Sequence, residues 1–124
     1  ERFLAERPDS VDGLSSLGVA LLRAGRVREA VGPLHRAASL NPDNVLARVN
    51  YAAVLVKLGE RETAMTEYRI VLARDPRSPE ARYGAGWAHV QFGETDAARR
   101  EHAILKTLDA GLAAQLAREI AVIR

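Results

Sequence analysis

The sequence predicts an all-α fold, a right-handed α-solenoid built from antiparallel helix hairpins. The first observation is a constant step of 34 residues between matched prolines, glycines and alanines. A fixed period of this length indicates one supersecondary unit that is repeated and stacked. The second is composition: the 124 residues are 48% hydrophobic but only 5% aromatic, which favours closely packed helices over a β-sandwich. The matched positions are Pro8, Pro42 and Pro76, then Gly25, Gly59 and Gly93, then Ala30, Ala64 and Ala98.

The first helix of each repeat is expected to begin soon after the proline. Ser10, Asn44 and Ser78 stand at the predicted starts, and their side-chain oxygens can accept hydrogen bonds from amide groups of the first turn. Each of these helices is predicted to end near the glycine, which can adopt the left-handed conformation that follows a helix. The predicted first helices span residues 10–24, 44–58 and 79–92.

The second helix of each repeat begins almost directly after the glycine, and the short turn makes the two helices antiparallel. The predicted second helices span residues 27–40, 61–74 and 95–108. A seventh helix is predicted over residues 110–123. Its apolar stripe consists of Leu112, Leu116, Ile120 and Ile123. Gln115, Arg118 and Glu119 lie away from this stripe, as expected of a helix that caps the end of a solenoid.

Residues 1–7 are predicted to be the remnant of a preceding repeat's second helix. Phe3, Leu4 and Ala5 precede Pro8 with the spacing that residues 37–39 show before Pro42. The chain is therefore expected to come from a longer protein. An open end of this kind would expose apolar surface, which makes self-association an expected property.

These positions together resemble the tetratricopeptide repeat, whose pattern is W-x2-L-G-x2-Y, then A-x3-F, then P. The resemblance covers residues 8–124: repeats at 8–41, 42–75 and 76–109, and a C-terminal capping helix at 110–124. The first repeat has Leu14, Leu17, Gly18, Leu21, Ala30, Leu34 and Pro42 at the pattern positions. The second has Arg48, Tyr51, Ala52, Leu55, Ala64, Tyr68 and Pro76. The third, which departs most, has Arg82, Ala85, Gly86, His89, Ala98, His102 and Ala110.

The resemblance implies a concave groove, lined by the first helices, that holds a peptide or a partner helix. The residues expected to bind there are Val19, Arg23, Val49, Asn50, Ala53, Lys57, Tyr83, Trp87 and Gln91. The same register also places Ser15, Leu22, Leu46, Val56, Glu80, Gly84 and Val90 along the groove.

Trp87 is the most informative of these residues. It lies four residues after Tyr83, so the two rings are expected to share a helix face, and both residue types are favoured at binding hot spots. Two interpretations remain open for Trp87: that it faces the groove, or that it fills a gap between helices.

Asn50 corresponds to an amide position of family members that capture a C-terminal carboxylate. Ser15, Val19, Glu80 and Gly84 occupy the other positions of that clamp, so a chaperone-tail receptor is rejected. Asn50 can still hold a ligand backbone or cap a neighbouring group.

Arg23, Lys57 and Gln91 recur at the repeat step and form either a basic edge to the groove or an ordinary solvated rim. An apolar floor with such an edge suits an amphipathic helix or an apolar segment, including one with acidic residues.

The sequence offers no catalytic constellation. The histidines are His35, His89 and His102. His89 and His102 fall at core-type positions of one repeat but lack the third and fourth ligands that a metal site needs, so they are expected to be partly buried and hydrogen-bonded. Second-helix carboxylates are expected to face mostly solvent, among them Glu29, Glu62, Asp96 and Glu101. No metalloprotease, phosphate-loop or nucleophile-elbow motif is present. We therefore expect no enzyme activity, no metal and no cofactor.

Charge and hydropathy argue against nucleic acid as a partner and against a membrane span. The net charge is only +2, because basic and acidic residues are almost balanced, whereas nucleic-acid binding calls for a concentrated basic stripe. No apolar run approaches the ~20 residues of a membrane span, no signal peptide is visible, and cysteine is absent; the cytoplasm is the default compartment. The expected function is a protein-interaction scaffold. Its alternatives are a regulatory or substrate-recruiting module of a larger enzyme, and a self-assembling oligomerisation domain.

Overall fold

The computed structural model describes residues 10–122, and its regular structure there is entirely helical. The helices are α1 (Val11–Arg23), α2 (Val27–Leu40), α3 (Val45–Lys57), α4 (Arg61–Arg74), α5 (Pro79–Gln91), α6 (Thr95–Leu105) and α7 (Ala110–Ala121). These seven helices fit three helix hairpins and a capping helix. The predictions for residues 1–7 and for Ile123 at the end of the seventh helix lie outside the described residues, and the exact repeat boundaries remain predictions.

Local chemistry sets the starts and ends of the first helices. Ser10, Asn44 and Ser78 each accept a hydrogen bond from the amide three residues later, at 3.1, 2.9 and 3.2 Å. The glycine after each first helix has φ between 73 and 81°, a conformation that glycine adopts without steric cost. Both features confirm the boundaries predicted from the sequence.

The predicted end of α6 is wrong by three residues, because α6 ends at Leu105 and not at residue 108. Residues 106–108 form turns in which the amides of Leu108 and Asp109 donate to the Leu105 carbonyl. Asp109 has an extended backbone and its carboxylate accepts from the Leu112 amide at 3.0 Å. Asp109 therefore caps α7, and the preceding helix stops early to allow it.

The helices stack so that the first helices form one continuous layer. Helix α3 contacts α1 and α5, and α5 contacts α7, whereas α2, α4 and α6 do not contact one another. Because the first helices touch while the second helices are spread apart, the solenoid curves with α1, α3, α5 and α7 on its concave side. The small residues Ala30, Ala64 and Ala98 are completely buried, which lets the paired backbones approach closely.

In the second and third hairpins, an arginine stands at the position where the tetratricopeptide pattern has tryptophan, and each arginine forms an ion pair with a glutamate of the second helix. Arg48 contacts Glu67 at 2.7 Å, and Arg82 contacts Glu101 at 3.1 Å. Both arginines also donate to the carbonyl of the preceding repeat proline. The side chain of Glu101 is only 16% exposed, so the expectation that it faces solvent is wrong: it neutralises a half-buried guanidinium.

Candidate functional site

The concave groove is the surface formed by α1, α3 and α5, and the structure divides the predicted residues into three groups. Exposed residues are Arg23, Leu46, Lys57, Glu80 and Gln91. Half-buried residues are Ser15, Val19, Leu22, Val49, Asn50, Ala53, Tyr83, Trp87 and Val90. Val56 and Gly84 are buried. The last two were expected along the groove, and that expectation is wrong because both belong to the core.

Gly84 is buried because the ring of Tyr68 lies directly against it. A Cβ atom built on Gly84 would lie 2.5 Å from Cε1 of Tyr68, which is closer than two non-bonded carbon atoms can approach. Val56 belongs to the same core cluster as Tyr68, Met65 and Ala85. The hydroxyl of Tyr68 is buried without a hydrogen-bond partner in the described structure, and burial raises the pKa of this phenol.

Trp87 combines features of both interpretations made from the sequence. Its ring is half-buried and packs against the core cluster between α3, α4 and α5. The Nζ atom of Lys57 lies over the indole, 5.6 Å from the ring centroid. A cation in this position is attracted by the negative face of the ring. Trp87 therefore contacts both the core cluster and Lys57.

Tyr83 packs against a different cluster, one shared with the capping helix. Its ring lies against buried Leu105, Ala113 and Leu116, and Nε2 of Gln115 donates to its hydroxyl at 3.1 Å. Burial, and secondarily the charge of Glu119, raises the pKa of Tyr83. Helix α7 thus adds polar groups beside the groove that the repeat register did not assign. The sequence did indicate these groups, because Gln115, Arg118 and Glu119 form the polar side of α7.

The edge residues Arg23 and Lys57 have no carboxylate at ion-pair distance within residues 10–122. They lie in the last turns of α1 and α3, where a cation also interacts favourably with the helix dipole. Asn50 is half-buried, and its amide forms no side-chain hydrogen bond in the same part of the chain. The donors of these three side chains remain available to a ligand.

A second polar cluster lies where α4 and α6 begin, away from the groove residues. Arg61 binds both carboxylate oxygens of Glu94 at 2.7 and 3.1 Å, and Nδ1 of His89 lies 2.7 Å from the same carboxylate. The hydrogen bond from Arg61 lowers the pKa of Glu94. His89 is thus half-buried and hydrogen-bonded, as expected. His102 is half-buried too, but its ring forms no hydrogen bond within residues 10–122, so that part of the expectation is wrong. The cluster links the second hairpin to the third, and sequence reasoning missed it because Arg61 lies 33 residues before Glu94.

The described residues contain no group of three or more metal-ligating side chains. None of the helices α1 to α7 is long and apolar enough to cross a membrane. The groove residues combine apolar surface, two aromatic rings and hydrogen-bond donors that are unpaired in the described part of the chain.

Comparisons with known proteins agree with this architecture. A family model described as "Tetratricopeptide repeat" matches residues 1–45, 15–64 and 52–113. The TPR repeat-containing thioredoxin TTL4 of Arabidopsis thaliana is 33% identical over 77% of this chain, which spans only 14% of that relative.

Two solved structures show the same fold. TTC0263, a thermophilic TPR protein of Thermus thermophilus, has a TM-score of 0.80 at 24% identity, covering 98% of this chain and 69% of that one. The first TPR domain of Spaghetti (RPAP3), solved with the HSP90 peptide SRMEEVD, has a TM-score of 0.75 at 18% identity, covering 90% of each chain. The chain belongs to the tetratricopeptide repeat family.

Proposed function

We propose that this chain is a non-catalytic protein-interaction scaffold that binds a peptide or partner helix in the concave groove. The observation that carries the proposal is the pair of half-buried rings on α5, Tyr83 and Trp87. Trp87 packs against the cluster that includes residues of α3, and Tyr83 packs against the cluster that includes residues of α7. Aromatic side chains that are anchored in a core but keep an accessible part bury much area on binding at little entropic cost. The structural neighbour with a bound peptide supports this use of the fold.

The groove favours an amphipathic or largely apolar partner segment. Val19, Val49, Ala53 and Val90 are half-buried, so an apolar side chain placed over them would remove their remaining surface from water. Leu46 is 60% exposed at the start of α3. A ligand that covers Leu46 gains hydrophobic contact that the free chain lacks.

A second candidate function is a recruiting or regulatory module within a larger enzyme. The observation that favours it is the match to a thioredoxin that is about seven times as long as the matching segment. In that case the groove would bind a substrate or regulator, and the chemistry would belong to another part of the protein. Sequencing the complete gene and assaying the complete protein for disulfide reduction would test this alternative.

The test of groove binding is affinity capture with matched variants of this chain. The wild type and a Tyr83→Ala/Trp87→Ala variant would be immobilised, after circular dichroism shows that both are folded. A second pair avoids packed residues: Leu46→Glu on the concave side, and Leu40→Glu on α2, where the leucine is 44% exposed.

We expect a partner that binds the wild type and Leu40→Glu but is lost by Leu46→Glu and by the double variant. Equal capture by all four chains would place binding on the convex side or the ends and refute the proposal. Capture of the chain by itself, with a mass that rises with concentration in light scattering, would favour the oligomerisation alternative.

A further inference from the structure

The contact between Lys57 and Trp87 carries an inference about the chemistry of the partner. Trp87 is the chain's sole tryptophan, and the ammonium of Lys57 reaches it from the last turn of the neighbouring helix. The ring does not use up the N–H donors of the ammonium, because a cation–π contact is electrostatic and needs no acceptor atom. The lysine is therefore positioned by the ring and free to bind an anion.

The basic side chains at this edge of the groove form no ion pair within residues 10–122. Several arginines elsewhere on the molecule pair with carboxylates, among them Arg26, Arg48, Arg61, Arg74 and Arg82. Arg23 and Lys57, at the C-terminal ends of the first helices, lack such partners among residues 10–122. A partner carboxylate can approach them without first displacing an internal one.

The opposite edge of the groove carries the other sign. Asp12 and Glu80 are exposed in the first turns of α1 and α5. A helix of 13 residues separates the two edges by ~20 Å. The groove thus has an electrostatic direction across its width, and complementary charges on a ligand would fix its orientation.

We propose that the groove recognises an internal segment in which an acidic residue lies next to an aromatic or large aliphatic residue. The apolar side chain packs beside Trp87, and the carboxylate contacts Lys57. This inference rests on the proposed function. It does not require a C-terminal carboxylate, because Ser15, Val19, Glu80 and Gly84 stand where a terminal-carboxylate clamp would need amide and basic side chains. Charge-assisted hydrogen bonds to an ammonium are stronger than neutral ones.

The experiment is selection from a phage-displayed random peptide library on four chains in parallel. The chains are the wild type, Lys57→Met, Lys106→Met and Tyr83→Ala/Trp87→Ala. Lys106 is the chain's other lysine; it lies exposed at the end of α6 and provides the matched control. The selected peptide is then synthesised with its acidic residues intact or replaced by glutamine. Each form is titrated by Trp87 fluorescence against the chains that keep the tryptophan, and by calorimetry against the double variant.

We expect the wild type to select peptides with Asp or Glu beside an aromatic or aliphatic residue. Lys57→Met should weaken binding of the acidic peptide about fivefold, the factor that corresponds to ~1 kcal/mol. It should leave the glutamine peptide unaffected, and Lys106→Met should change neither affinity. Binding of the acidic peptide to the wild type should weaken as salt is added.

Two results would overturn the inference, and they are distinguishable. Peptides without acidic residues, or equal affinity of the wild type and Lys57→Met for the acidic peptide, would refute the acidic preference while groove binding stands. Absence of any peptide enriched on the wild type over Tyr83→Ala/Trp87→Ala would refute groove binding itself, and the acidic preference with it.

Discussion

Replacing Gly84 by alanine should destabilise the chain, although alanine is the better helix former. In an open helix interior, Gly→Ala stabilises by ~1 kcal/mol. At Gly84 the new Cβ would lie 2.5 Å from Cε1 of Tyr68 and 3.0 Å from its Cζ and hydroxyl. The phenol is almost completely buried and cannot turn away, so an overpacking cost of ~1–3 kcal/mol applies. The net result is a loss of ~0–2 kcal/mol in the free energy of unfolding.

Gly111 provides the matched control, because it is an exposed helical glycine with only an ordinary contact of 3.4 Å to its nearest neighbour. Gly111→Ala should raise stability by up to ~1 kcal/mol. The two variants should therefore differ by ~1–3 kcal/mol in urea denaturation followed by far-ultraviolet circular dichroism. Tyr68→Leu removes the clashing ring atoms. In a Tyr68→Leu background, adding Gly84→Ala should therefore raise the free energy of unfolding, as Gly111→Ala does in the wild type. If Gly84→Ala alone stabilised as much as Gly111→Ala, the close approach of Tyr68 would be refuted.

Three further predictions concern polar groups. Tyr68→Phe should leave stability unchanged or raise it by ~1 kcal/mol, since the buried hydroxyl is unpaired and removing an unsatisfied group costs nothing; a clear drop in urea midpoint would reveal a hydrogen bond. Arg82→Ala and Glu101→Ala should each cost ~1–3 kcal/mol, because either change leaves a half-buried charge alone; strictly additive losses in the double variant would contradict the pairing. The lowered pKa of Glu94 contributes stability that is present above the unfolded pKa of about 4.5 and is lost as the pH falls through the lower folded pKa. In the Glu94→Gln variant, the melting temperature should fall less as the pH is lowered through this range. If the melting temperature depended on pH as in the wild type, the contribution of the contact between Arg61 and Glu94 would be contradicted.

The parts of the fold that were predictable depend on neighbours in the sequence. The caps at Ser10, Asn44 and Ser78 bind amides three residues away, so residue type and spacing were sufficient to predict them. The end of α6 was not, because it depends on how Asp109 begins the next helix. The seven helices were therefore all predicted from the sequence, but the end of α6 was misplaced because it depends on the start of α7.

The candidate site was less predictable because its contacts join different helices. Lys57 and Trp87 lie on separate first helices, and Gln115 reaches Tyr83 across 32 residues. A pattern of single positions cannot fix how far each helix is rotated about its axis, so it misplaced Gly84. A signal for the Arg–Glu pairs did exist, since Arg48 and Glu67 recur as Arg82 and Glu101 at the repeat step.

Those Arg–Glu pairs mean that the hairpins are not interchangeable parts. In the first hairpin the corresponding positions hold Leu14 and Pro33, so a chimaera that joined α2 to α3 as a hairpin would leave the Arg48 guanidinium facing a proline. Near-identical repeats are prone to assemble with the wrong neighbour during folding, and an uncompensated half-buried charge penalises that error. The second and third hairpins carry the same pair and lack this protection from each other. The Arg–Glu pairs therefore do not penalise a misfolded state in which the second and third hairpins exchange their second helices.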